Sequence, residues 1–297
     1  MTTILVTGAT GFLGRTLCRL RPEGVRLVPA SRSGEGHIRL DLTDSESVLR
    51  AVEEAAPECV IHTAAFTSVD GCEADPEAAR RVHVDGTRAL VEACEKSGAY
   101  LIALSSNYVF DGRSGPYAEE DAPNPLNVYG STKLEAERIV IESEIPAAIV
   151  RTAVLYGASD GRPDFVTWAA TELALKNAIR VVTDEWSNPT SVDELANSLL
   201  YLNTPRGRRH RGLIHLAGVD FMTRYEMVEA IAEAFGLDTE NVHPVTSADL
   251  AQKAERPLRA GLRTDLAETL IPGPRESFKE SLKAVVAQTD LASLTRS

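Results

Sequence analysis

The sequence predicts an α/β fold, a doubly wound parallel sheet with a smaller, interleaved C-terminal lobe. Three observations carry that expectation. Short apolar runs alternate with amphipathic stretches through the first half of the chain, as strand–helix–strand units require. The first run ends in a glycine-rich turn, Gly8–Gly14, that opens a helix. After Gly157 the alternation loosens while helix signals continue, and no repeat or low-complexity linker sets the remainder apart.

Taken in order, Ile4–Thr7 is the first strand, and the turn leads into a helix ending near Leu20. Arg26–Ala30 and His37–Leu40 read as strands and Asp44–Ala55 as a helix. Cys59–Ala65 is an apolar strand, Pro76–Ser97 a long amphipathic helix and Tyr100–Ser105 a buried strand. A polar, proline-bearing loop, Asp111–Pro125, precedes a helix carrying Tyr129 and Lys133. That helix starts at Asn124-Pro125 or at Asn127, since asparagine caps well and proline suits a first turn. Ala147–Leu155 is a strand again. Beyond it, Phe165–Asn177 is helical and Ile179–Thr183 a strand. Ser191-Val-Asp-Glu194 is a capping box opening a helix to Leu202. Leu213–Ala217 is a strand, and Thr223–Phe235, Ser247–Lys253 and Glu276–Gln288 are helices. The expected division is a dinucleotide-binding domain over 1–155, with 189–217 returning to it, and a substrate lobe over 156–188 and 218–297.

A chain of 297 residues with 43% hydrophobic and 25% charged residues has an ordinary globular composition. It has no apolar run of membrane-spanning length and no signal-peptide pattern, so a cytoplasmic protein is expected. The net charge of −12 argues against a general nucleic-acid binder. Cys18, Cys59, Cys72 and Cys94 lack paired spacing and read as reduced thiols. The histidines lack zinc-ligand spacing, so no metal site is expected, and His62 and His83 read as locally packed or hydrogen-bonded. The oligomeric state stays open, a homodimer being one option.

Glycines at 8, 11 and 14 allow a tight turn, close backbone approach to a pyrophosphate and close helix–strand packing. Phe12 and Leu13 complete that turn at a helix N-terminus, where N–H groups and the dipole favour phosphate. An NAD site offers an acidic residue at the end of the second strand. Here that position reads Pro29-Ala30-Ser31-Arg32-Ser33. Arg32 can pair with a 2′-phosphate and Ser31 or Ser33 can add a donor, so the cofactor expected is NADP(H), with NAD(H) the alternative. Asp41 and Leu42 end the next strand. Asp41 either accepts a hydrogen bond from the adenine, with Leu42 covering the ring, or caps the following helix.

Tyr129 and Lys133 lie one turn apart on one helix face. A free phenol has a pKa near 10, and a neighbouring ammonium is expected to lower it. Ser105-Ser106 ends a central strand, where ligands of such sheets sit. The set suggests carbonyl reduction, with hydride from a nicotinamide, Ser106 donating to the developing oxyanion and Tyr129 protonating it. Taken singly, Ser106 reads as a turn hydroxyl and Lys133 as one charge on a helix that also carries Glu135, Glu137 and Arg138. The basic run Arg206–Arg211 reads as a solvated loop, and Trp168, Trp186, Tyr225 and Phe235 as packing residues.

On Thr7–Gly14, Ala64–Asp70, Ser105–Gly112, Asn124–Lys133, Arg151-Thr152, Tyr156-Gly157, Asn188-Pro189-Thr190 and Arg256-Pro257, the chain resembles the extended short-chain dehydrogenases/reductases, within them the dTDP-4-dehydrorhamnose reductase branch. The resemblance implies NADPH-dependent reduction of a nucleotide-linked 4-keto-6-deoxy sugar. It implies catalytic roles for Ser106, Tyr129 and Lys133, and cofactor contacts from Lys133, Ala64, Ala65 and Thr67. Val69, Asn107 and Tyr108 would face the sugar. Arg256 and Arg259, in a proline-bearing loop of the second lobe, read either as partners for a substrate diphosphate or as hinge or surface residues. Two positions depart from the branch, which has aspartate where this chain has Asn107 and tryptophan where it has Val154. The regulatory subunit of methionine adenosyltransferase resembles the same branch, so a noncatalytic NADP-binding subunit is one rival expectation. A sugar-nucleotide epimerase is another. A dehydratase is disfavoured, because Ser106 is followed by Asn107-Tyr108 and not by an Asp-Glu pair.

Overall fold

A computed structural model of the chain describes residues 1–20, 22–158 and 163–291; positions 159–162 and 292–297 of the expected second lobe lie outside them. In chain order the elements begin β1 (Thr2–Thr7), α1 (Phe12–Arg19), β2 (Val25–Ser31), β3 (Ile38–Arg39), α2 (Ser45–Ala55), β4 (Cys59–His62), α3 (Val69–Ala74) and α4 (Pro76–Arg80). A π-helical turn (Arg81–Asp85), α5 (Gly86–Ser97), β5 (Tyr100–Ser106), α6 (Val128–Glu142) and β6 (Ala147–Thr152) follow. Next come β7 (Leu155–Tyr156), α7 (Phe165–Ala174), β8 (Ile179–Val182), β9 (Trp186–Ser187), β10 (Thr190–Ser191) and α8 (Val192–Leu202). The described chain ends with β11 (Gly212–His215), β12 (Met222–Thr223), α9 (Arg224–Phe235), β13 (Val242–Val245), α10 (Asp265–Leu270) and α11 (Phe278–Gln288).

Seven parallel strands form one sheet in the order β11–β6–β5–β4–β1–β2–β3, the Rossmann arrangement with β11 added beside β6. Neighbouring side chains on a strand point to opposite faces, and β1 shows it. Leu5 joins the core under α2 and α5, whereas Ile4 and Val6 join the core under α1 and α8. The order reverses between β1 and β4, which opens a crevice beyond their carboxyl ends. A third core lies outside the sheet, where Val166 of α7, Val181 of β8, Val228 of α9 and Leu282 of α11 pack together.

Local chemistry sets the ends that matter here. Asn127 caps α6 by accepting from the Gly130 N–H at 2.8 Å, which decides between the two expected starts. The strand expected over Ala147–Leu155 breaks at Val154, whose φ of +40 is left-handed and strained for a β-branched residue. The helix expected over Pro76–Ser97 is continuous but widens into the π turn at its middle. Ser247–Lys253 yields only a 3-10 turn over Ser247–Asp249 and then irregular chain. No disulfide joins Cys59, Cys72 and Cys94, which are buried, and burial pushes the Cys72 and Cys94 thiols up to about 11 and about 12. No described helix is long and apolar enough to cross a membrane.

Candidate active site

A cleft of about 690 Å³ lies over the crevice. Gly8, Gly11, Phe12, Leu13 and Gly14 of the turn line its floor. Gly8 holds φ at +68, and a Cβ there would sit 2.7 Å from the Ala64 backbone; a Cβ on Gly14 would meet the Gly8 carbonyl at 2.2 Å. Both glycines are required by close packing, whereas Gly11 faces the opening. The first turn of α1 has no side-chain cap, which leaves its leading N–H groups to an anion. Ala64, Ala65 and Thr67 follow β4 along one side, with Ser31, Arg32, Asp41 and Leu42 at the far end. Tyr129 and Lys133 close the near end. Thr152 also lines the cleft, and its buried hydroxyl has no hydrogen-bond partner. A glycine floor, uncapped amides, an arginine at one end and an unsatisfied hydroxyl at the other fit an extended dinucleotide.

Two of these residues are already engaged. The Ser31 hydroxyl accepts from the Gly34 N–H at 2.8 Å and meets His37 Nδ1 at 3.0 Å, so it holds its own loop together. Asp41 accepts from the Thr43 N–H and hydroxyl, and this lowers its pKa. Asp44, not Asp41, caps α2. Arg32 is exposed beside the turn. The π turn adds Arg81 and Val82 to the cleft, which the sequence reading missed. A π turn inserts one residue into the helical period, so the 3.6-residue pattern gives no sign of which side chains it redirects.

Ser106 lies close enough to Tyr129 for its hydroxyl to draw the phenol pKa down, while that hydroxyl donates to Asn107. Burial outweighs it and pushes Tyr129 up to about 12. This reverses the expected direction, because desolvation of a phenolate is costly and Lys133 points elsewhere. The Lys133 ammonium is buried and donates to the Leu104 carbonyl. Burial lowers its pKa to about 8, and Glu137 opposes that shift. His83 stands edge-on to Tyr129 at 5.6 Å. Its Nε2 accepts from the Phe66 N–H, which leaves Nδ1–H to donate to Thr132. His62 meets the Thr7 hydroxyl at 2.8 Å. Burial holds both imidazoles neutral, at about 3.

Glu137, one turn beyond Lys133, was read from sequence among the surface charges of its helix and is instead buried. Its neighbour Glu135 is the exposed one and pairs with Arg80 at 2.6 Å. Glu137 takes both prongs of the buried Arg151, at 2.9 and 2.7 Å, and accepts from the Ser105 hydroxyl.

Toward the second lobe the predicted residues are less free. Val69 opens α3 and is half-buried. Asn107 is buried, and its amide donates to the Ala260 carbonyl at 2.8 Å and Ser187 at 3.3 Å while accepting from Ser106 at 3.2 Å. Arg256 pairs with Asp70 at 3.1 Å. Tyr108 stands edge-on to Tyr129 at 5.7 Å, and the positive charges of Arg224 and Arg256 oppose the upward shift that burial gives its phenol. Arg224 lies over the Phe165 ring at 4.8 Å, and Glu185, also near both arginines, has a buried Oε1 without a hydrogen-bond partner. The sequence reading did not single out Arg224 or Glu185, which come together only through the tertiary fold.

The strand order, the glycine turn and the Tyr129–Lys133 pair at one crevice define an extended short-chain dehydrogenase/reductase fold. More narrowly, residues 1–291 match the RmlD substrate binding domain, and the chain belongs to that family. It is 40% identical over 258 residues to the dTDP-4-dehydrorhamnose reductase of Streptomyces griseus, covering 85% of this chain and 83% of that protein. It is 35% identical over 287 residues to methionine adenosyltransferase 2 subunit beta of Bos taurus, covering 94% and 86%. Among solved structures, the Bacillus anthracis dTDP-4-dehydrorhamnose reductase in complex with NADP superposes with a TM-score of 0.88 at 28% identity, covering 97% of this chain and 100% of that one.

Proposed function

We propose that the chain is an NADPH-dependent reductase of the 4-keto group of a nucleotide-linked 6-deoxy sugar. The observation that carries the reading is the single cleft in which the glycine turn faces Tyr129 and Lys133, with Ser106 near enough to act on the Tyr129 phenol. Residues 1–155, with 189–217 returning through β11, would form the NADP-binding domain, and 156–188 and 218–297 the substrate lobe. The seventh strand of the sheet and the separate third core support that division. Arg32 at the far end of the cleft favours NADP(H), the ligand of the B. anthracis relative.

When bound, the reduced nicotinamide supplies the hydride to the carbonyl carbon. Ser106 holds the carbonyl oxygen as negative charge develops there, and Tyr129 delivers the proton to it. A phenol held near 12 is fully protonated at neutral pH, which suits a donor. The phenolate left behind regains its proton from water, with the Lys133 ammonium held one helical turn away on the Leu104 carbonyl. Arg224 and Arg256, both acting on Tyr108, provide positive charge where a substrate diphosphate would lie. Purified protein should oxidise NADPH when given dTDP-linked 4-keto-6-deoxy sugars. Tyr129→Phe should slow that turnover about 10²–10⁴-fold while leaving NADPH affinity unchanged. No turnover across a panel of such sugars would refute the reading.

A second reading, a noncatalytic NADP-binding regulatory subunit, is favoured by the bovine relative and by the inward use of Asn107. A pulldown yielding a stoichiometric enzyme partner, together with no intrinsic NADPH oxidation, would decide for it.

A further inference from the structure

Beneath the catalytic set the sheet carries a buried polar row that the proposed reaction leaves unused. Ser105 of β5, Arg151 of β6 and His215 of β11 are register partners, so one row crosses three strands. Glu137 lies over that row from α6. Arg151 and Glu137 are each 2% exposed, and the Arg151 guanidinium also faces the Phe110 ring at 5.0 Å and His215 Nε2 at 3.5 Å. A buried ion pair of this kind is a poor source of stability, since well-packed apolar residues often do as well. Stability alone does not explain its presence. Its location offers a reason. Tyr129, Lys133 and Glu137 follow at successive turns on one helix face, and the Leu104 carbonyl that receives Lys133 adjoins Ser105, which donates to Glu137.

We propose that Glu137 is a positioning residue for Lys133. Clamped by Arg151 and Ser105, its carboxylate fixes α6 against β5 and keeps the buried Lys133 side chain an ammonium on the Leu104 carbonyl. The other groups around Lys133 do not supply that charge. His62 of β4 and His83 of the π turn are neutral, and the Lys133 charge adds to the cost of protonating them. Tyr129 is protonated, and Arg151 carries the same sign as Lys133 and offsets part of the Glu137 field. Burial still brings Lys133 down to about 8, so little margin remains at neutral pH. The kinetic consequence rests on the reductase reading; the protonation of Lys133 does not.

The test is a ¹⁵N titration of the Lys133 Nζ in lysine-labelled protein, assigned with Lys133→Met, alongside the pH profile of kcat/KM. Glu137→Gln leaves Arg151 buried and unpaired, so the paired variant Glu137→Gln/Arg151→Met provides a neutral, foldable alternative. Glu137→Gln is expected to lower the Lys133 midpoint by about one pH unit, as loss of a nearby opposite charge does, and the paired variant by less because it also removes the Arg151 charge. The alkaline limb of kcat/KM should move down with it. An unchanged midpoint in a paired variant that melts cooperatively overturns the proposal, as does a lowered midpoint with an unmoved alkaline limb. If no sugar is turned over, the reductase reading falls and the NMR midpoint alone decides whether Glu137 holds the Lys133 charge.

Discussion

The wall of the cleft built from β1, β4 and the glycine turn presents mostly backbone and small side chains. A second wall, past the Tyr129 end of the cleft and toward the third core, presents long polar side chains that already have protein partners. Gly8 and Gly14 leave no room for a Cβ, and the α1 amides lack a side-chain cap. On the second wall, Asn107 is bonded to Ala260, and Arg256 to Asp70. A ligand reaching the first wall meets groups that need no rearrangement. One reaching the second must compete with internal hydrogen bonds or use Arg224 and Glu185, whose charged groups form no ion pair among the described residues. Preorganisation on one side and exchangeable contacts on the other would let a fixed cofactor site accompany a changeable substrate.

The largest effect should come from filling the preorganised wall. Gly8→Ala places a Cβ on the Ala64 backbone at a left-handed φ of +68. Strain and overlap together should cost about 2–5 kcal/mol of stability. NADPH affinity should fall with it, as calorimetric melting and fluorescence titration would show. A Gly8→Ala protein with unchanged melting and binding would remove the contrast between the walls. Arg32→Ala should come next. Loss of a charge-assisted pair to a 2′-phosphate should weaken NADPH binding about 10–100-fold and leave NADH binding alone. Equal loss for both coenzymes would show that Arg32 does not select between them.

The same contrast governs what the sequence revealed. The glycine turn and the Tyr129–Lys133 spacing are local patterns, fixed by backbone conformation and one helical period, although Lys133 turns to the Leu104 carbonyl and not to the phenol. Asn127 as the α6 cap was legible as one of two starts, because capping is a contact across three residues that Asn124 also offered. Glu137 was not. Its partner Arg151 lies on β6, and the Glu135–Arg138 stretch looks like a solvated face until the tertiary contact is known. The π turn escaped because its extra residue breaks the period. Ser247–Lys253 has helical residue types but no buried anchor, and without packing a short helix does not persist. Val154 marks a different failure, since nothing in a valine announces a left-handed φ.

On the second wall, Asn107→Asp tests whether the amide serves the fold or a ligand. The aspartate of related reductases would set a carboxylate oxygen against the Ala260 carbonyl, where Asn107 now donates at 2.8 Å. Losing that donor inside a buried site should cost about 1–3 kcal/mol, seen as a lower midpoint in urea with NADPH binding unchanged. Undiminished stability combined with faster turnover of a dTDP-4-keto sugar would show instead that position 107 faces the substrate.

The smallest effect on stability should follow Arg256→Ala. Asp70 is 43% exposed in its side chain, so solvent screens the pair, and its removal should cost no more than about 1 kcal/mol. The Asp70 carboxyl is held low first by the Ala254 N–H, which the substitution leaves in place, so the loop need not open. Kinetics should separate the roles. If Arg256 trades Asp70 for a substrate diphosphate, KM for the nucleotide sugar should rise several-fold with kcat nearly intact, because a contact made equally in ground and transition states changes binding alone. Unchanged KM would confine Arg256 to bracing the α3 loop and leave Arg224 as the phosphate-facing cation of that wall.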